Sequence, residues 1–379
     1  MKPARAIFWG AVAGLVHTHV TYPMTLAALR RWRGPAAAPV RPPGTEEELP
    51  RVSLVIAAFD EEEVIAAKVE DALELDYPRE LLEVIVASDG SGDRTVERAR
   101  AAGADLVLEL PRGGKMATQN AAVERASGEI VAFSDANTRW EPDALGELVA
   151  AFADPRVGYA CGQLVYLDPD GDNEEGAYWR LETGIRELES GLGGITAGNG
   201  GIYAVRRSDY IPLPPSRSHD LSFPFLLAKR GRRSVYAPAA RASERMVPTL
   251  EGELARKRRM MVGIPDIVLA DGMWDPRGYS PTFAFEVLSH RLLRYASPLL
   301  HALAFLANLA LLRRGRIYRL ALATQLGLLA AALAGGPGGP RPARLARYYV
   351  LVTASTALGC LDRWRDGPPA AWEKSEGTR

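Results

Sequence analysis

The last quarter of the chain contains a long segment without any acidic residue. From Arg291 to Cys360 there is no Asp or Glu, and the arginines stand between runs of apolar residues. The runs are Ala296 to Leu312, Leu320 to Ala334 and Tyr348 to Leu361. Each is about 14 to 17 residues long, which is short for a transmembrane helix perpendicular to the bilayer. Because all three lack acidic residues, they predict a membrane bundle of about three tilted helices, or fewer with one re-entrant segment, rather than core helices of a soluble domain.

A fourth apolar run lies near the N-terminus. Ala6 to Leu29 carries no charge over roughly two dozen residues, enough at 1.5 Å per residue to cross a hydrocarbon core of ~30 Å. Arg30, Arg31 and Arg33 follow it directly. A cleaved signal peptide has a shorter apolar core and a cleavage site with small residues, so we expect a retained anchor.

The overall composition excludes several other classes of protein. The 46 basic and 46 acidic side chains balance, so nothing indicates a nucleic-acid partner. Cys161 and Cys360 have no neighbouring Cys or His in the sequence, so neither a disulfide framework nor a zinc site is predicted.

Apolar and amphipathic segments alternate in the middle of the chain, after a Pro- and Ala-rich linker that spans Gly34 to Gly44. This alternation predicts an α/β fold with a largely parallel, doubly wound sheet, in which ligands lie at the carboxyl ends of the strands. The predicted strands are residues 51–59, 82–89, 104–110 and 129–135, and the predicted helices are residues 61–75, 93–103 and 115–126.

Acidic residues follow three of these strands. Asp60 and Glu61 follow the first, Asp89 ends the second and Asp135 ends the fourth, so we expect them to share one cleft. Asp135 and Asn137 offer two hard oxygen ligands for a divalent cation. An alternative for Asp89 is that it, or Asp93, only caps the next helix.

A basic, glycine-containing segment supplies the opposite charge. Arg112-Gly113-Gly114-Lys115 precedes a predicted helix, and its glycines allow close backbone approach to an anion. It is not an ATP-binding P-loop, since Glu109 and Met116 stand where that motif needs Gly and Ser or Thr.

Seven segments together resemble the membrane-bound family 2 glycosyltransferases, such as the cellulose, hyaluronan and poly-N-acetylglucosamine synthases. They follow one another in the family's order between Arg51 and Met261. The segments are VSLVIAAFDEEEVI, VIVASDGSGDRT, GGKMATQNAA, FSDANTRWEPDAL, TAGNGGIYAVRRS, SHDLSFPFLLAKRGRRSVYAPAA and RKRRM. The resemblance implies a GT-A fold and an inverting transfer from a nucleoside diphosphate sugar, with UDP as the expected nucleotide and Mn²⁺ or Mg²⁺ as cofactor.

The resemblance also implies roles for individual residues. Asp220 would be the general base that takes a proton from the acceptor hydroxyl. Asp135 and Asn137 would hold the metal. The nucleotide-sugar would be bound by Asp60, Glu61, Asp89, Lys115 and Asp135, and the diphosphate or acceptor by Arg256, Arg259, Asn199 and Gly200.

The chain departs from the family pattern at several motif positions. Asp60 stands where Asn is common, Asn137 replaces the second acid of D-x-D, and His219 replaces the Glu before the base. Arg256 and Met260 replace the Gln and Trp of Q-x-x-R-W, which puts synthesis of long polymers in doubt. A processive polysaccharide synthase and a non-catalytic nucleotide-binding relative therefore remain alternatives. A nucleotidyltransferase is disfavoured because AAFDEEE, not a glycine-rich loop, follows the first strand.

The resemblance thus implies an enzyme on the cytosolic side of the inner (plasma) membrane, and the apolar runs predict several helices that hold it there. Its partners would be a nucleotide-sugar donor, a lipid-linked or saccharide acceptor and the membrane, in cell-envelope or polysaccharide synthesis. The predicted parts are an N-terminal transmembrane anchor (residues 1–33), a linker (34–50), the GT-A domain (51–262), an interfacial segment (263–295), a C-terminal transmembrane bundle (296–361) and a polar tail (362–379).

Overall fold

The computed structural model describes residues 2–34, 49–167, 174–245, 250–336 and 338–367. Most of the predicted linker and the polar tail from residue 368 onward lie outside these ranges. Within them, the strands are β1 (Val52–Ala58), β2 (Leu82–Asp89), β3 (Leu106–Leu110), β4 (Ile130–Asp135), β5 (Arg139–Trp140), β6 (Val157–Leu167), β7 (Tyr203–Arg206) and β8 (Arg233–Arg245).

The α-helices fall into three groups along the chain. An N-terminal group precedes β1, a second group covers the sheet, and a third follows β8. They are α1 (Lys2–Val16), α2 (Tyr22–Arg33), α3 (Ile65–Leu73), α4 (Thr95–Ala101), α5 (Lys115–Arg125), α6 (Ala144–Ala150), α7 (Glu174–Ser190), α8 (His219–Lys229), α9 (Leu250–Val262), α10 (Pro281–Glu286), α11 (Leu293–Tyr295), α12 (Ser297–Leu311), α13 (Arg316–Ala334) and α14 (Arg341–Asp366).

The strands form one mixed sheet in the order β3-β2-β1-β4-β7-β6-β8-β5. The predicted strands β1 to β4 are present and pair in parallel, as expected from the βα alternation. The prediction of a largely parallel sheet is wrong for the second half, because β7 runs antiparallel to both β4 and β6, and β5 runs antiparallel to β8. Only β6 and β8 pair in parallel there.

The sheet is buried on both faces, which explains the continuous apolar runs of its parallel strands. All seven residues of β1 are buried. Leu54 and Ile56 pack with the core on the face covered by α3, α4 and α6, whereas Val55 packs with the core under α5 and α8. The sequence of β1 therefore places its carboxyl end, and the residues after it, at an edge fixed by two hydrophobic cores.

The helices at the two ends of the chain pack against each other. The helix α1 contacts α12, α13 contacts α14, and α14 contacts α9. In the described part of the chain, only α13 is by itself long and apolar enough to cross a bilayer. A second candidate arises if Pro281–Tyr295 and Ser297–Arg314, which are bent by 64° at their break, form one broken span. By length and composition, the described residues thus contain one or two candidate membrane spans, fewer than the four predicted. The number of membrane spans in the protein stays a prediction.

A buried polar cluster joins these helices to the sheet domain. The carboxylate of Glu189 at the end of α7 is fully buried and accepts hydrogen bonds from the Tyr22 hydroxyl (2.6 Å) and the Thr196 backbone N–H (3.1 Å). His290 Nδ1 lies 2.6 Å from the same carboxylate. The segment predicted to lie at the bilayer interface, residues 263–295, thus turns some of its polar side chains inward.

Two π-helical turns mark this junction, one in each group of end helices. The first spans His17–Thr21 and the second spans Val287–Leu292. His17 Nε2 lies 2.9 Å from Ser289 Oγ, so one hydrogen bond links the two turns. Because π turns rotate the following side chains relative to a regular α-helix, they bring Tyr22 and His290 to the same carboxylate.

We expect Tyr22→Phe to destabilise the protein by about 1.5–3 kcal/mol, because it removes a donor from a buried carboxylate. The midpoint of thermal unfolding in detergent should fall. The matched control is Tyr318→Phe, since the Tyr318 ring is also buried and packs edge-on against Phe8. Equal midpoints for both variants would contradict a role of Glu189 in docking the N-terminal helix.

Candidate active site at the carboxyl edge of the sheet

The loop after β1 is held by hydrogen bonds to the loop after β2. Asp60 adopts a left-handed conformation with φ of 51°, unusual for a residue with a side chain. Its Oδ1 accepts a hydrogen bond from the Gly92 N–H (2.7 Å), and its own N–H donates to Ser91 Oγ (3.0 Å). Glu61 is buried, and its N–H donates to Thr95 Oγ1 at 2.7 Å. Asp60 and Glu61, two of the residues predicted to bind the nucleotide-sugar, therefore also hold the loops after β1 and β2 together.

Asp89 organises the basic glycine segment. Its carboxylate is fully buried and accepts hydrogen bonds from the backbone N–H groups of Gly113 (2.7 Å) and Gly114 (3.0 Å). Arg112 Nη1 lies 3.2 Å from the other carboxylate oxygen. The turn before α4 is bound by Asp93, whose Oδ1 accepts from the Thr95 N–H at 3.0 Å. The structure thus assigns Asp89 a role in holding this segment, and direct contact with the nucleotide stays a prediction.

The centre of the cleft is built around Gly200. A Cβ atom placed on Gly200 would lie 3.4 Å from Lys115 Nζ, 3.6 Å from His219 Nε2 and 3.7 Å from Asp135 Oδ2. Lys115 Nζ also forms an ion pair with Asp135. Lys115, Asp135 and His219, which come from three different segments, therefore surround Gly200. Because glycine has no side chain, the space between them stays open.

The helix α8 presents the predicted base to this cleft. Asp220 lies in its first turn, the Ser218 hydroxyl donates to the Asp220 carboxylate, and the Gly198 N–H donates to the Asp220 carbonyl at 2.8 Å. Burial raises the pKa of the Asp220 carboxyl above its ordinary value, and the charge of Lys115 partly opposes that shift. A carboxylate with a raised pKa is a stronger base than an exposed one.

His219 stands beside the base with its ring fixed. The ring is buried and stacks on Tyr203, with centroids 4.4 Å apart. Its Nε2 has no hydrogen-bond partner within the described residues, and it lies on the Gly200 side. Burial, followed by the charge of Lys115, lowers the pKa of His219 well below its ordinary value, so the ring is neutral at physiological pH.

Asn199 has a structural role in the segment that carries Gly200. Its Nδ2 donates to the Gly162 carbonyl (2.7 Å), and its Oδ1 accepts from the Ile202 N–H (3.0 Å). The Asn199 side chain thus fixes the backbone beside the cleft, and its direct contact with the diphosphate or acceptor stays a prediction.

Sequence reasoning missed two charged residues behind the Asp135–Asn137 turn, the buried Lys68 and the half-buried Glu244. Lys68 donates from Nζ to the Thr138 carbonyl at 2.7 Å, and its burial lowers its pKa to about 7. Glu244, near the end of β8, accepts a hydrogen bond from Asn137 Nδ2 at 3.0 Å. Burial and then the charge of Asp135 raise the pKa of Glu244. No motif spacing in the sequence connects either residue to the turn.

The predicted arginines lie on α9. Arg256 lies near Glu244, with its guanidinium carbon 5.8 Å from the centre of the Tyr166 ring. Arg259 is exposed one turn further along the helix. The intervening Lys257 is buried, with its Nζ 5.7 Å from the Trp179 and Tyr348 ring centres. Arg256 is thus linked, through Glu244, to the turn that carries Asp135 and Asn137.

Within the described residues, no group of three His, Cys, Asp or Glu side chains is arranged to hold a metal ion. The oxygen ligands that the cleft does offer come from Asp135 and Asn137, with Glu244 beside Asn137. Carboxylate and amide oxygens suit Mg²⁺ and Mn²⁺, so the donor set fits a hard divalent cation.

Comparisons with known proteins identify the family of the chain. Residues 53–211 match the sequence profile of Glycosyl transferase family 2. An N-acetylglucosaminyltransferase of Rhizobium meliloti (strain 1021) is 27% identical over 320 residues, which are 76% of this chain and 73% of that protein. An N-acetylglucosaminyltransferase of Rhizobium leguminosarum bv. trifolii is 34% identical over 128 residues, which are 32% of this chain and 70% of that protein.

A solved structure confirms the predicted fold. It is a mannosyltransferase from Pyrobaculum calidifontis in complex with GDP-Man and Mn²⁺, 24% identical, with a TM-score of 0.71. The superposition covers 93% of this chain and 99% of that one. The mixed sheet is thus a GT-A sheet, and the chain belongs to glycosyltransferase family 2 as an enzyme that transfers a sugar from a nucleotide-sugar donor.

Proposed function

We propose that the protein is a membrane-anchored, inverting glycosyltransferase that uses a UDP-sugar and a lipid-linked or saccharide acceptor. The observation that carries the proposal is the convergence of Lys115, Asp135 and His219 around Gly200, with Asp220 beside them. An inverting transfer needs a base on the acceptor side and positive charge on the leaving diphosphate, and this cleft offers both.

The side chains divide the work of the proposed reaction. The Asp220 carboxylate takes the proton of the acceptor hydroxyl as that oxygen attacks the anomeric carbon. Lys115 neutralises charge on the diphosphate, and it exchanges its ion pair with Asp135 for contact with the donor. A divalent cation, Mn²⁺ or Mg²⁺, bound by Asp135 and Asn137 would stabilise the charge that develops on the leaving group. The Mn²⁺ in the mannosyltransferase structure supports this cofactor.

The end helices support a membrane location and a lipid-linked acceptor. The helix α13 is apolar and only 11% of its apolar window is buried, so its outer surface suits contact with lipid. A groove of about 760 Å³ lies between α1, α12, α13 and α14 and is lined mainly by apolar residues such as Val12, Phe305 and Leu328. At its lining, His301 Nε2 lies 2.7 Å from the Tyr349 hydroxyl. We place the catalytic domain on the cytosolic face of the inner membrane and expect a single transfer per acceptor, because the Gln and Trp of Q-x-x-R-W are absent.

The direct test is release of nucleoside diphosphate by the detergent-solubilised protein with a panel of UDP- and GDP-sugars, with and without Mn²⁺. We expect one donor to give metal-dependent release and Asp220→Asn to lower the rate by about 10²–10⁴-fold, because the base is lost. The variant should still bind the nucleotide. Unchanged release by Asp220→Asn would remove Asp220 from the mechanism.

The rate should also depend on pH in a defined direction. Asp220 works deprotonated and its pKa is raised, so kcat should fall as the pH drops through that raised pKa, above the range of an exposed Asp. Lys115 lowers this pKa, so Lys115→Met should move the acidic limb of the profile to higher pH. The measurement is a profile of log kcat against pH for both proteins. If the acidic limb of Lys115→Met stays in place or moves to lower pH, Asp220 is not the base.

Gly200→Ala tests the open point in the cleft. The added methyl group meets its neighbours at 3.4–3.7 Å, which is ordinary contact, so the variant should fold normally. Turnover should nevertheless fall by about tenfold to a hundredfold, since the methyl displaces substrate from the reacting position. Gly146→Ala in α6, where an added Cβ meets nothing within 4 Å, is the matched control. Equal turnover of the two variants would place the reaction elsewhere.

A further inference from the structure

The metal-binding motif of this chain has one carboxylate fewer than a D-x-D motif. Asp135 is followed two positions later by the neutral Asn137. Divalent cations such as Mg²⁺ and Mn²⁺ bind through hard oxygen ligands, and the charge of those ligands sets much of the affinity. A single carboxylate next to Lys115, whose ammonium group already pairs with Asp135, is a weak cation site.

Strand pairing brings a second carboxylate to this motif from far along the chain. The short strand β5, just after the motif, pairs with β8 so that Arg139 lies opposite Ser243 and Trp140 opposite Ala242. This register carries the next residue of β8, Glu244, past Arg139 toward the motif. Glu244 Oε1 accepts a hydrogen bond from Asn137 Nδ2 at 3.0 Å. The position of Glu244 therefore follows from backbone pairing and not from a flexible side chain.

Two carboxylates flank the same turn. Glu244 is hydrogen-bonded to Asn137, and Asp135 lies two residues before Asn137. Two neighbouring carboxylates in a partly buried site are costly unless a cation lies between them. Lys115 and Arg256 supply part of that charge. A second, independent observation is the buried His219 Nε2, which has no hydrogen-bond partner within the described residues and lies in the same cleft.

We propose that Glu244 supplies the carboxylate that the D-x-N motif lacks, so that Asp135 and Glu244, with Asn137 between them, form the divalent-cation site. This inference rests on the proposed metal-dependent function and assigns the site a residue outside the motif. In this chain the second acid stands near the end of β8 and not in the turn after β4. The net charge of the site is the same as that of a D-x-D motif with a neutral residue on β8.

The test is Mn²⁺ binding by the full-length protein in detergent, with UDP present and absent, measured as loss of the free Mn²⁺ signal in electron paramagnetic resonance. Glu244→Gln keeps the shape and removes the charge, so we expect Mn²⁺ affinity to fall about 10–100-fold. The double variant Glu244→Gln with Asn137→Asp returns the acid to the motif and should regain most of that loss. Glu109→Gln is the matched control, because Glu109 lies on β3 at the opposite edge of the sheet and pairs with Arg100.

Each result of the Mn²⁺ measurement supports or overturns the inferred role of Glu244. Wild-type affinity in Glu244→Gln would overturn the inference and leave the proposed function standing. A loss that Asn137→Asp does not restore would also overturn it, because Glu244 would then act on the structure and not through its charge. Unfolding midpoints of all variants, measured in the same detergent, identify any loss that comes from misfolding. If the wild-type protein itself binds no Mn²⁺ with or without UDP, both the proposed metal-dependent function and the inferred role of Glu244 are overturned.

Discussion

The parallel pairing of β1 with both β2 and β4 is the interaction on which the site depends. It sets Ala58 beside Ser88 and Ala57 beside Asp135, so the turns that follow the three strands start at one level. The loops then bind one another through Asp60, Gly92 and Asp89. A shift of β1 by one residue would turn its core side chains to the opposite face of the sheet and separate these loops. The geometry of the cleft is thus fixed by backbone hydrogen bonds before any substrate is present.

The first half of the catalytic domain could be predicted from the sequence because its structure is local. Each strand from β1 to β4 is a short apolar run, and each connecting helix follows it directly, so the βα pattern determines the topology. The placement of Asp60, Asp89, Lys115 and Asp135 at one edge follows from that pattern. The contacts of Asp89 could not be predicted, because an acid at a strand end can face a ligand or the next loop with the same sequence.

The second half could not be predicted, since its structure depends on contacts between distant residues. The strand β8 reads RSVYAPAARASER and shows no regular alternation of apolar and polar residues. Its last residues are placed by pairing with β5, about a hundred residues earlier, and that pairing determines where Glu244 lies. The π turns at His17–Thr21 and Val287–Leu292 also leave no periodic signal, although they decide which side chains reach Glu189.

The buried Glu189 cluster also has a consequence for the order of events during synthesis. Its partners Tyr22 and His290 come from parts of the chain that are far apart. The hydrogen bond that links the two adjoining π turns joins His17 to Ser289, 272 positions later. At about 5–20 residues per second, the ribosome needs roughly 14 to 54 seconds to make the second partner after the first. Tyr22 can reach Glu189 earlier, since that residue lies 167 positions after it. The contacts with Ser289 and His290 form later, so the two π turns join only after about three quarters of the chain has been made.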